Sequence, residues 1–172
     1  MDIFDAQFST GQVLAAAGMA NPGLQTWIRR GMIVGHKDRP IDMPGSPGIR
    51  RTFTFHNVME IATAKALVDV GAELIDAFRA AAMFAHTGDE ERLPGLPFAN
   101  DAYTLLCMAG DRSTVVEWEP GTDVLANIRH DLGRPLGFVI LQVNPLFDRV
   151  TSSLGYHPEA VLDHVRKMEA SR

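Results

Sequence analysis

A chain of 172 residues that is 46% hydrophobic and 22% charged can bury a core, and it reads as a globular protein of one domain or two small ones. Its single cysteine, Cys107, excludes an internal disulfide and any multi-thiolate zinc site, as suits a reducing cytosol. No uncharged run approaches the ~20 residues of a membrane span, and the first residues, with Asp2 and Asp5, make no apolar leader, so the expected location is cytoplasmic.

The first helix is expected to open on Ser9 or Thr10, whose hydroxyl can accept from the orphan N–H groups of a first turn, and to stop at Gly18. Val13, Leu14 and Ala17 form its apolar side. A second helix is expected to run from Asn21, a capping residue by type, through Pro22 at the first helical position, to Gly31. Leu24, Trp27 and Ile28 fall at i, i+3, i+4 and predict its packed side, while Gln25 with Arg29 and Thr26 with Arg30 pair at i, i+4 on the other. Arginine can hold phosphate or guanine bidentately and glutamine can do so for adenine, so this face carries the donor types that read DNA. No acid occurs between Asp5 and Asp38.

Met32, Ile33 and Val34 come next, then a charged, Pro/Gly-rich excursion from His36 to Gly48, then Ile49, Arg50, Arg51, Thr52 and Phe53. That order predicts two strands joined by a long loop, a wing beside the second helix. The charge distribution agrees. Residues 29–51 hold six basic side chains against two acidic ones, leaving ten basic and nineteen acidic for the rest of a chain whose net charge is −5. Phosphate attraction decays over a Debye length of ~8–10 Å, so a basic segment can act on an acidic body that faces away.

The run FSTGQV from Phe8, the Ala17, Gly18, Met19 stop, WIRRGMI from Trp27 and GIRRTF from Gly48 together resemble the N-terminal half of a MerR-type transcriptional regulator. The likeness covers Phe8 to Gly71. It implies that the second helix enters the major groove, that the wing arginine grips the backbone, and that two subunits read a dyad-symmetric site. By position, Arg29 and Arg51 match basic positions of the motif and Phe53 the aromatic residue that ends the wing. Trp27 stands where tyrosine is usual, and Gln25 where arginine is common.

Thr54 is a candidate cap for a third helix in which Val58, Ile61, Ala62, Ala64, Leu67 and Val68 make a broad apolar face up to Gly71. A fourth, from about Ala72 to His86 with Gly88 as its stop, carries Leu74, Ile75, Phe78, Ala81, Ala82 and Phe84 or Ala85. In the MerR group this region leads into a long dimerising helix. Here Gly88, Pro94, Gly95 and Pro97 forbid one, and Thr87 to Asn100 reads as a linker. Beyond it, Tyr103 to Ala109 and Thr114 to Trp118 predict a hairpin turning at Gly110, Asp111 and Arg112. Thr122 is expected to cap a helix with Val124, Leu125, Ile128 and Leu132, ended by Gly133, Phe138 to Val143 to form a strand covered on both faces, and Asn144 with Pro145 to open a helix ending at Gly155. His157 and Pro158 open the last helix, giving a β-β-α-β-α-α unit.

Competing chemistry is thin. His157 and His164 lie seven apart, Asp163 and His164 point away from each other, and Cys107 sits in an apolar strand with no adjacent base. No phosphate-binding, dinucleotide, zincin or nucleophile-elbow motif occurs, so neither an enzyme nor a cofactor or metal is expected. The expectation is an α+β fold with a winged helix-turn-helix domain over 1–88, a linker over 89–100 and a small C-terminal α/β domain over 101–172. Gln25, Thr26, Arg29 and Arg30 would address the major groove of double-stranded DNA, and Lys37, Arg39, Arg50 and Arg51 the flanking phosphates. The expected function is a homodimeric, sequence-specific regulator of transcription, the C-terminal unit dimerising or sensing a small-molecule or protein effector. Phage-type DNA handling, as by excisionases or small terminase subunits, and a protein-interaction adaptor are the alternatives.

Overall fold

In a computed structural model the chain is described over residues 2–35, 51–89, 92–100 and 102–169, and over those residues it is a mixed α/β protein of seven helices and two small sheets. A short strand, β1 (Phe8–Ser9), leads into α1 (Thr10–Ala17). Ser9 and Gln12 close a reciprocal capping box, the Ser9 N–H reaching Gln12 Oε1 at 2.9 Å. Gly18, at φ 63°, adopts the left-handed turn that ends α1. In α2 (Asn21–Arg29) the helix starts one residue earlier than Asn21 as cap would require. Ala20 is the N-cap and has no side-chain acceptor to offer, while Asn21 Oδ1 accepts from Gln25 Nε2 at 3.1 Å.

Residues 32–34, expected as the first wing strand, form no strand. Ile33 is fully buried and the Val34 backbone is satisfied by side chains of the following helix, leaving it no need of a ladder partner. The returning strand, β2 (Thr52–Phe53), pairs antiparallel with β1, Phe8 opposite Phe53 and Ser9 opposite Thr52. Residues 36–50, and with them Lys37, Arg39 and Arg50, lie outside the described residues.

The helix α3 (Phe55–Asp69) is capped by Thr54 in a second box with Asn57. It is buried almost all round, with Phe55, Val58, Met59, Ile61, Ala62, Ala64 and Leu67 each at 0% exposure, and α1, α4 and α6 pack about it. The helix α4 (Leu74–His86) is capped by Glu73, which accepts from the Ile75 N–H at 3.1 Å. Its Ala77, Phe78, Ala81, Phe84 and Ala85 are buried, whereas Ile75 is 61% exposed.

The stretch read as a linker is packed down. Leu96 and Phe98 are buried, and so is Arg92, whose guanidinium donates to the Phe84, Thr87, Leu93 and Leu96 carbonyls. An arginine that ends a helix by binding its last carbonyls fixes the next segment against it. Gly88 permits the turn, since a Cβ there would lie 2.6 Å from the Arg92 carbonyl oxygen.

The second sheet runs β4-β3-β5, all antiparallel, from β3 (Tyr103–Ala109), β4 (Arg112–Trp118) and β5 (Val139–Gln142). The expected hairpin forms, but its turn is the two residues Gly110 and Asp111: Arg112, expected in the turn, opens β4 opposite Ala109. It is β3, in the middle, that is covered on both faces; β5 is an edge strand with Ile140 43% exposed. One face of β3 (Leu105, Cys107) packs on α5 (Leu125–Asp131) through Ile128 and Leu132; the other (Leu106, Met108) joins the main core. Thr122 does not cap α5. Its hydroxyl donates to the Glu119 carbonyl, and Asp123 Oδ1 accepts the Leu125 N–H. The helix α6 (Val143–Ser153) starts before Asn144, whose side chain accepts the Thr104 N–H at 2.7 Å and so anchors the start of β3. The chain ends its described part in α7 (Pro158–Glu169).

A single hydrophobic cluster contains residues of β1, α1, α2, α3, α4, β3, α6 and α7, so apolar packing is continuous across the 89–100 stretch. No helix among the described residues is long and apolar enough to cross a membrane.

Candidate nucleic-acid interface

The seat of α2 is aromatic. Trp27 meets Phe78 of α4 edge to face, with ring centroids 4.9 Å apart and planes at 87°, and Leu24 and Ile28 are buried beside it. With that side fixed, the 100° step of the helix turns Pro22, Gln25, Thr26 and Arg29 outward. Arg29 is exposed; Gln25 and Thr26 are half-buried.

Two rows of bonds order this face. Along one, Gln25 Nε2 donates to Asn21 Oδ1. Along the other, Thr26 Oγ1 donates to the Pro22 carbonyl at 2.8 Å and accepts from Arg29 Nη2 at 3.3 Å. The expected i, i+4 pairs are therefore replaced by Asn21 with Gln25 and Thr26 with Arg29. The threonine hydroxyl holds one guanidinium nitrogen near the helix and leaves the arginine's other donors for a partner.

Arg30 is set apart. It is the C-cap residue of α2, and it lines a groove of about 560 Å³ with Met32, Ile75, Phe78 and Arg79, facing α4. Arg79 there is paired with Asp76 at 2.9 Å. Arg51 is half-buried and immediately precedes β2, whose partner β1 carries the cap of α1. Among the described residues none of Arg29, Arg30 and Arg51 forms an ion pair, and no acid occupies the first turn of α1 or α2.

Comparison with known proteins adds nothing to this geometry. The chain matches no protein-family model and no curated protein.

The rival sites are poor in chemistry. Among the described residues no group of three or more His, Cys, Asp and Glu side chains is arranged to hold a metal ion. Cys107 is fully buried, and burial pushes its thiol up to about 12, which suppresses the nucleophilic thiolate. His157 and His164 line one surface hollow of about 330 Å³ with Asp2 and Tyr156, and His164 Nε2 lies 3.1 Å from Asp2 Oδ2, while Asp163 turns away to Arg166.

Sequence reading missed a buried polar cluster that joins Val34, α3 and α4. Glu60 is 0% exposed; it accepts the Val34 N–H and lies 2.9 Å from His86 Nε2. The His86 ring is 6.1 Å from that of His56, whose pKa burial and the neighbouring imidazole hold below the usual value, opposed by a hydrogen bond to the Pro94 backbone. The one available signal was a glutamate inside an otherwise apolar stretch of α3.

Proposed function

We propose that the chain is a sequence-specific DNA-binding regulator of transcription whose N-terminal part is a MerR-like winged helix-turn-helix. The observation that carries this reading is the outward face of α2: Gln25, Thr26 and Arg29 stand together on a helix anchored by Trp27, with no carboxylate paired to the arginine among the described residues. Such a face offers a bidentate guanidinium and an amide to base edges, while Arg51, with Lys37, Arg39 and Arg50 of the basic segment, supplies phosphate contacts. Arg30 belongs with the phosphate contacts in this reading, since it sits at the helix end toward α4.

Two copies acting on an inverted repeat complete the proposal, the C-terminal α/β unit providing the dimer contact or an effector site. Selection of bound fragments from a genomic library with purified protein tests it. A recurrent inverted repeat bound by two copies supports the regulator, and no enrichment at low salt removes it. One observation favours a second reading, a protein-interaction adaptor: Gln25 and Thr26 are both already bonded within α2. Absence of any duplex binding would leave that reading standing.

A further inference from the structure

The two edges of the second sheet are not alike. At one, β4 carries Arg112 and Glu117 and has α4 packed against it. At the other, β5 reads Val139, Ile140, Leu141, Gln142, without a charge or a proline, and among the described residues nothing hydrogen-bonds to its outer side. An antiparallel strand turns the N–H and C=O groups of alternate residues to opposite neighbours, so half of the β5 backbone groups point away from β3. Folded proteins close such edges with a charge, a proline, a bulge or a covering element, or keep them very short. Of these devices β5 has only its shortness.

The face beside this edge is uncovered as well. Strand register puts Tyr103, Leu105, Cys107, Trp118, Ile140 and Gln142 on the side of the sheet that meets α5. The helix covers Leu105 and Cys107 but leaves Tyr103, Ile140 and its own Leu125 exposed by 42%, 43% and 53%. Tyr103 lies against Trp118 with ring centroids 5.3 Å apart, and Trp118, Leu125 and Ile140 line one hollow of about 350 Å³. An apolar patch therefore runs up to the open edge, as at surfaces that meet a partner.

The surface dictates the partner's chemistry. The edge calls for an extended backbone with free donors and acceptors, and the patch for apolar side chains. The exposed charges around them, Glu119, Asp123 and Asp131 against Arg129 and Arg134, are of both signs and call for neither a polyanion nor a polycation. The chain offers that combination itself. A strand laid antiparallel to its own copy about a twofold axis meets the same uncharged sequence, and the two patches fall on one face of the joined sheet.

We propose that β5 pairs with β5 of a second copy across a twofold axis, joining the two three-stranded sheets into one, with Ile140 and Leu125 of both copies packed at the junction. This rests on the two-copy part of the function proposed above, and its test leaves DNA out. Sedimentation equilibrium over a concentration series compares wild type with Ile140→Lys, Leu125→Lys and, as a control on exposed apolar surface elsewhere, Val70→Lys. Thermal melts establish that each variant is folded, and amide hydrogen exchange is read from Val139 to Gln142.

Wild type is expected to be a dimer. Each lysine on the patch enters the contact twice, so Ile140→Lys and Leu125→Lys should raise the dissociation constant at least about a hundredfold, and Val70→Lys less than about threefold. The β5 amides that β3 leaves free should exchange at least about tenfold more slowly in the wild-type dimer than in the Leu125→Lys monomer. The two substitutions lie on different elements, so either carries the test should the other fail to fold. A wild type still monomeric at about 100 μM would overturn the proposal, as would a species larger than a dimer or a dimer indifferent to both lysines. Free β5 amides that exchange equally fast in dimer and monomer would overturn it too. A dimer that binds no duplex removes the DNA reading and leaves this contact, whereas a monomer that binds duplex does the reverse.

Discussion

Replacing Arg92 by methionine should cost more stability than any surface change in the molecule. The side chain is 3% exposed, its guanidinium carbon stands 5.1 Å from the centroid of the Phe84 ring, and four carbonyls accept from it: Thr87 at 2.7 Å, Leu93 at 3.1 Å, and Phe84 and Leu96 at 3.3 Å each. Burial pulls its pKa below the ordinary arginine value, with nearby Asp89 opposing, so the site strains the charge and still keeps it. Methionine preserves the apolar stem and orphans the carbonyls at ~1–3 kcal/mol for each one left buried. The four are not independent and the segment can relax, which brings the expected total to ~3–5 kcal/mol, the range seen when one side of a buried charged network is removed. For a chain of this size that is a fall in Tm of ~10 °C. Urea unfolding of wild type, Arg92→Met and Arg92→Lys measures it, the lysine variant falling between because an ammonium cannot span four carbonyls. A loss under about 1 kcal/mol in Arg92→Met would show that residues 92–98 are held by their apolar contacts and not by the guanidinium.

Other consequences are separately measurable. Gly88→Ala would bring a Cβ to 2.6 Å from the Arg92 carbonyl oxygen and 2.9 Å from Pro94 Cδ, so it should destabilise by ~1–3 kcal/mol in the same unfolding assay, and a neutral result would mean the turn shifts freely. Native Cys107, with its thiol pushed up to about 12, should react with iodoacetamide at least about a hundredfold more slowly than the unfolded chain, whereas comparable rates would contradict its burial. His56 has a folded pKa below its usual 6.5, so the unfolded chain binds the proton more readily: its contribution is complete above 6.5 and is lost as pH falls through the folded value. The loss of Tm between about pH 7.5 and about pH 5.5 should accordingly be smaller in His56→Phe than in wild type, and equal losses would refute it. Arg51→Ala should weaken all duplexes alike and lower the salt slope by ~0.9, and an unchanged slope would count against a phosphate contact.

Features set by neighbours in sequence were legible. The Ser9 and Thr54 caps, the left-handed Gly18 and the hairpin turning at Gly110 all follow from residues within a few positions of each other. So did the packed side of α2, because Leu24, Trp27 and Ile28 share one face whatever they pack against. The failures have a common cause. Asn21, Thr122 and Asn144 are capping residues by type, and each is engaged elsewhere, Asn144 by Thr104 forty positions away. The apolar composition of β5 announced a strand but not its place at the sheet edge, since strand order is a long-range property.

The candidate site divides the same way. That α2 presents Gln25, Thr26 and Arg29 outward could be read from periodicity; that Arg30 turns to α4 could not, because it depends on where Phe78 and Arg79 lie. The strand expected of residues 32–34 does not form, and the Val34 backbone is bonded instead by Asn57 and Glu60, which no local pattern reveals. Proline and glycine around residue 94 read as a linker, and Arg92 reversed that by giving the segment a buried anchor.

The central claim is that the outward face of α2 reads base sequence. Its most direct measurement is the affinity of wild type and Arg29→Ala for a selected genomic site and for random duplex at the same salt. Arg29→Ala should weaken the selected site by ~1–3 kcal/mol, roughly five- to 150-fold, while random duplex changes far less. Equal losses on both, or none on either, would contradict it.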